Sequence, residues 1–222
     1  MTDEYTEAKF HGLKINCGKH KPTNIRIIEL IYIMTFISIE NFKRPTGYHI
    51  RTRLSSKMNA TEFSARLITH YKRKSGYSPL RVSVLEDDPL QGGRHYHHAL
   101  ILDARYDTHL SLNYFLSKLQ KSGLLHDYYI QNHNDAPYGL KLDNEHSKAK
   151  YIEWTSYLAK TKTKATNTQT YSASRAISKD LASWKKSGSP TLNRVNEPQS
   201  LEHFLTTPKI NNHNINHLSH IS

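Results

Sequence analysis

A single cysteine, Cys17, among 222 residues leaves no partner for an intrachain disulfide and excludes a cysteine-rich zinc site. That usage fits a reducing cytoplasm, the expected location. Acidic residues are also scarce, 19 against 31 lysines and arginines, which gives a formal charge of +12. Such a surplus suits phosphates. Long apolar runs are missing as well. The stretch from Ile25 to Ile39 is interrupted by Arg26 and Glu29 and falls short of the roughly 20 residues a bilayer requires. No secretory h-region is found, and no membrane partner is expected.

What the chain does contain is 36% hydrophobic and 23% charged residues, the balance of a globular chain with one well-buried domain and an extension. Fourteen tyrosines interleaved with basic charge suit stacked bases as well as phosphates. Residues 1–24 are polar, hold Gly12, Gly18 and Pro22 without steady periodicity, and read as an N-terminal arm. Residues 25–184 form the domain. Residues 185–222 turn to Ser, Asn, Pro and His and read as a flexible tail. No internal repeat is visible.

Within the domain, Ile27 to Ile39 is β-branched and aromatic, which predicts a buried central strand, broken by Pro45, Thr46 and Gly47. Asn59 to Glu62 introduce a helix with Phe63, Leu67, Ile68 and Tyr71 on its apolar stripe, ending near Gly76. Leu80 to Leu85 alternates as a strand and pairs through a turn-rich segment with the run from His95. Thr108 to Lys121 reads as a helix with Leu112, Phe115, Leu116 and Leu119 inward, closed by Gly123. Leu124 to Gln131 is a further strand, and a third helix spans roughly Glu145 to Lys160. This order predicts an α+β, ferredoxin-like antiparallel sheet with helices on one face, a central histidine strand and an extra helix near the C-terminus carrying a tyrosine.

The chemistry concentrates in two places. His95 and His97 flank Tyr96, and alternate residues of a strand share a face, so both imidazoles can address one divalent cation. Glu86, at the end of the preceding strand, supplies a carboxylate. Asp87 and Asp88 are nearer the turn, and His98 should face away. Two imidazoles and a carboxylate suit Mn²⁺ or Mg²⁺, and would also accept Zn²⁺ or Ni²⁺. In Tyr151 to Lys160, Tyr151, Trp154, Thr155 and Leu158 form a stripe that reads as core. Tyr157, about 120° from Tyr151 around a helix, pairs with Lys160 three residues on. A neighbouring ammonium favours the phenolate, so Tyr157 is a candidate nucleophile.

LRVSVLEDD, GRHYHHALIL and YIEWTSYLAKTKTK, in that order, resemble the HUH-type rolling-circle replication initiators, most closely the inovirus Gp2-like and YagK/YfjJ group. The resemblance covers roughly Arg26 to Arg175. It implies an HUH endonuclease fold, with metal ligands Glu86, His95 and His97, the nucleophile Tyr157 and assistance from Lys160. Lys162, Lys164 and Arg175 are the expected DNA-binding residues. The first strand matches weakly, no helicase domain follows, and the two-tyrosine version of some phage initiators is absent.

The expected function is a metal-dependent, single-tyrosine endonuclease that nicks and religates single-stranded origin DNA, presented by a hairpin, through a 5′-phosphotyrosine. Its product would serve rolling-circle replication of a phage, plasmid or prophage-like element, with host helicase and polymerase as further partners. An HUH transposase or relaxase is a close variant. The alternative of another class is a non-catalytic nucleic-acid-binding regulator of replication or transcription on the same scaffold, which would also explain the basic, tyrosine-rich surface.

Overall fold

The computed structural model describes residues 4–18, 22–88, 93–106, 108–133, 136–161 and 171–186. Four short strands come first: β1 (Glu4–Tyr5), β2 (Lys9–Phe10), β3 (Leu13–Lys14) and β4 (Thr23–Asn24). Helix α1 (Ile25–Asn41), β5 (Pro45–Leu54), α2 (Ala60–Ser75), β6 (Leu80–Asp88), β7 (Gly93–Asp103) and α3 (Thr108–Lys121) follow. Then come β8 (Leu125–Gln131), β9 (Leu140–Lys141), α4 (Glu145–Thr155), β10 (Tyr171–Ala173) and α5 (Arg175–Lys186). The main sheet runs β10-β6-β7-β5-β8, with β9 also on β5, and its described pairings are antiparallel. The fold is therefore α+β, with five described α-helices around this sheet.

Side-chain alternation on the sheet divides the core in two. On one face α2 and α3 bury Phe63, Leu67, Tyr71, Leu112, Phe115, Leu116 and Leu119 against Tyr48, Ile50, Leu100 and Leu102. Asn59 starts α2 with a capping box to Glu62, and Gly76 ends it in the left-handed region at φ 73°. These two helices share a face as expected. The other face is covered by α1, α4 and α5, so helices lie on both faces and not on one as expected.

Helix α1 is the main correction. Ile27 to Ile39, read as a central strand, lies inside a helix that Asn24 caps by accepting from the backbone N–H groups of Arg26 and Ile27. It is wedged between the sheet and other elements, so Ile27, Ile28, Leu30, Ile31, Tyr32, Ile33 and Met34 are all buried and no polar face reveals its period. The histidine strand β7 is central in the sheet, as expected, and the strand beside it that precedes α2 is β5, which begins at the Pro-Thr-Gly read as a break. Pro45 is its first residue, where a strand tolerates proline. Gly47 is required by packing: a Cβ there would lie 2.4 Å from Cε2 of Tyr151, whose ring rests on the strand.

Two boundaries also move. The segment read as an arm places Phe10, Leu13 and Ile15 in the core beside α1. The tyrosine helix stops at Thr155 and gives way to a 3₁₀ turn, Ser156–Ala159. Helix α5 runs to Lys186, and residues 187–222 of the expected tail lie outside the described residues.

Candidate metal centre and its tyrosine

The register of β6 against β7 sets Glu86 opposite His95 and Val84 opposite His97, so Glu86, His95 and His97 emerge on the α1 side of the sheet. All three are buried, at 3%, 4% and 5% exposure. His95 Nε2 lies 3.1 Å from His97 Nε2, and Glu86 Oε2 lies 3.7 Å and 3.4 Å from these nitrogens. A point equidistant from three such atoms is about 2.0 Å from each, a metal–ligand distance. The group could hold one metal ion.

The outer nitrogens agree with that use. His95 Nδ1–H donates to the Gly93 carbonyl (2.8 Å), leaving the Nε2 lone pair for a ligand bond. His97 Nδ1 lies 3.0 Å from Nε2 of His49 on β5. If His97 ligates through Nε2, its Nδ1–H donates to His49, whose own proton is then on Nδ1. That Nδ1 is buried and has no hydrogen-bond partner among the described residues. Burial, with His97 adding to it and Glu86 opposing, pushes the His49 pKa down to about 3, so His49 is a neutral acceptor.

Of the two neighbouring acids, Asp87 is half exposed and pairs with Arg94 at 3.4 Å, away from the imidazoles. His98 projects to the opposite face, where it contacts Thr52, Ser83 and Phe63.

Tyr157 reaches the centre from the 3₁₀ turn, its ring edge-on to His97 with centroids 6.2 Å apart. Lys160 does pair with Tyr157, but its Nζ stands 3.1 Å over the ring centroid. The ammonium therefore engages the ring face as a cation–π contact, which orients the ring. Tyr151 is core, as its spacing suggested: its hydroxyl donates to the Leu100 and Tyr48 carbonyls.

The N-terminal segment fixes this turn. Asn16 N–H donates to Ser156 Oγ (2.7 Å), Thr161 N–H donates to the Pro22 carbonyl (3.1 Å), and Lys14 pairs with Glu153 (2.6 Å). Between segment and sheet lies a cleft of about 710 Å³, lined among others by Lys14, His49, His133, Lys150, Trp154 and Tyr157. His49, Lys14 and Lys150 are candidate functional residues that the sequence reading did not pick out. The alternation in Gly-Tyr-His-Ile-Arg was the available signal for His49, hidden by the misplaced first strand.

Lys162 and Lys164 lie outside the described residues. Arg175 is exposed at the start of α5 and is not part of the cleft wall. Among the described residues no helix is long and apolar enough to cross a membrane. Comparison with protein-family models, with curated proteins and with solved structures found no match for this chain.

Proposed function

We propose that the chain is a metal-dependent, single-tyrosine HUH endonuclease that nicks and rejoins single-stranded DNA at an origin hairpin, starting rolling-circle replication of a small element. The observation that carries this reading is the buried Glu86, His95 and His97 group with the Tyr157 ring against one of its imidazoles. The strand order β8-β5-β7-β6, with α2 and α3 on one face, supports a ferredoxin-like assignment for the sheet.

Glu86, His95 and His97 would hold Mn²⁺ or Mg²⁺, which supplies positive charge to a phosphate oxygen. His49 and the Gly93 carbonyl keep the two imidazoles turned toward that ion. Lys14 and Lys150 offer cationic groups to the strand in the cleft, and Trp154 a face for a base. Tyr157 Oη attacks phosphorus and loses its proton. The P–O3′ bond breaks, the 3′ oxygen departs and is protonated, and the 5′ phosphate remains on Tyr157 as a phosphotyrosine. The reverse step rejoins the strand.

Incubating the full chain with single-stranded DNA and Mn²⁺ should give a denaturant-resistant adduct, and Tyr157→Phe should give none while remaining folded. Mass spectrometry should find the nucleotide on Tyr157; a nucleotide on another tyrosine overturns the assignment. DNA retained without any adduct would favour a non-catalytic binding protein.

A further inference from the structure

Arg81 is a buried cation to which the proposed cleavage gives no task. It lies on β6 with 7% exposure, facing the α2 side of the sheet. Its Nη1 donates to the Ser83 and Ser172 hydroxyls, and among the described residues no carboxylate forms an ion pair with it. A charge taken out of water with hydroxyls alone around it is strongly unfavourable unless a counter-charge arrives. Burial lowers the Arg81 pKa to about 10, which leaves the guanidinium charged at neutral pH.

The neighbours cannot supply that charge. Ser83 accepts from Arg81 and therefore turns its own proton to His98 Nδ1, so the remaining His98 proton is on Nε2, donated to Thr52 Oγ1 at 2.9 Å. Glu62, the acid in the first turn of α2, is engaged with the backbone N–H of Asn59 at 3.1 Å. Arg81 Nε and Nη2 carry no hydrogen bond among the described residues.

Arg81 lines a cleft of about 260 Å³, together with the hydroxyl-bearing Thr61, Ser64, Ser83 and Ser172 and with Tyr96. A guanidinium fork among hydroxyls matches the oxygens of a phosphate group, and the ring can carry an attached base. The volume suits a phosphate with a sugar-sized appendage better than a large ligand. We propose that this cleft binds the phosphate group of a nucleotide or of a nucleic-acid strand, on the face of the sheet opposite Glu86, His95 and His97.

Calorimetric titration of the full chain with inorganic phosphate tests the site without reference to DNA cleavage. Wild type should bind, and Arg81→Gln should weaken binding at least tenfold. Thr61→Asp places a competing carboxylate at the exposed first turn of α2, where negative charge favours the helix, so this variant should fold and also lose phosphate. It decides the matter if Arg81→Gln fails to fold.

Competition separates the two sources. Displacement of phosphate by an oligothymidylate without terminal phosphates identifies the nucleic-acid backbone, and displacement by thymidine 5′-monophosphate alone identifies a free nucleotide. Absence of binding to wild type at millimolar phosphate, unchanged binding in Thr61→Asp, or phosphate retained against both competitors overturns the proposal.

Discussion

His97 and His98 are neighbours on β7, both at most 5% exposed, yet strand alternation sends them into different chemistry. His97 meets a carboxylate and two further imidazoles: its Nε2 converges with His95 Nε2 and Glu86 Oε2 on one point, while its Nδ1 faces His49. His98 meets two hydroxyls and the stacked ring of Phe63, with the Arg81 guanidinium one hydrogen bond away. One face thus gathers acceptors around a place for a cation, and the other holds a cation already there, which donates to hydroxyls. Residue type alone does not distinguish the two histidines; the partners on β5 and β6 do.

The largest expected effect breaks the first face. His95→Ala combined with His97→Ala removes two of the three ligands and should reduce the Mn²⁺-dependent DNA adduct to background. It should also abolish any rise in melting temperature produced by Mn²⁺ in wild type. Salt-sensitive DNA binding, measured by fluorescence anisotropy, should persist, since on the proposed reading it would arise from the basic surface. Undiminished adduct formation in this variant would remove the metal from the reading.

The second face should respond in the opposite manner. His98→Ala opens a space beside Phe63 and strips two hydroxyls of a partner, costing about 3 kcal/mol in urea unfolding while leaving the Mn²⁺ response intact. The pH dependence has a definite sign. The folded-state pKa of His98 is depressed, so its contribution is complete above the ordinary value of 6.5 and is lost as pH falls below it, where the unfolded chain takes up a proton. His98→Ala should therefore lose less stability than wild type between pH 7 and pH 5.

The smallest effect is expected at Lys160. Lys160→Met keeps the aliphatic stem and removes the charge above the Tyr157 ring, a contact worth about 0.5–1 kcal/mol, so adduct formation should slow only about two- to fivefold. Complete loss of activity would mean that the ammonium acts on the phenol itself.

The metal face was legible wherever local rules suffice. Period two placed His95 and His97 together and His98 apart, and the hairpin register brought Glu86 alongside. The capping box at Asn59 and the glycine after α2 likewise marked their helix. Reading failed where packing overrides pattern. Helix α1 is apolar on every side because it is enclosed, and only its length, with Asn24 ahead of it, pointed to a helix over a strand. Gly47 looked like a break, since nothing in its own neighbourhood announces the Tyr151 ring that needs the space. Arg81 gave no local signal, because its significance lies in three dimensions, where among the described residues no acid pairs with it.

The hydrogen bond from Asn16 to Ser156 joins residues 140 positions apart, and it helps fix the turn that bears Tyr157. At the usual 5–20 residues per second of synthesis, the N-terminal segment waits roughly 7 to 28 s for its acceptor to be made. The hairpin that carries Glu86, His95 and His97 is complete well before then. The residues of the candidate cation site are thus synthesised ahead of the tyrosine, and the contact from Asn16 that holds the tyrosine's turn closes a long loop that can form only after Ser156 has been made.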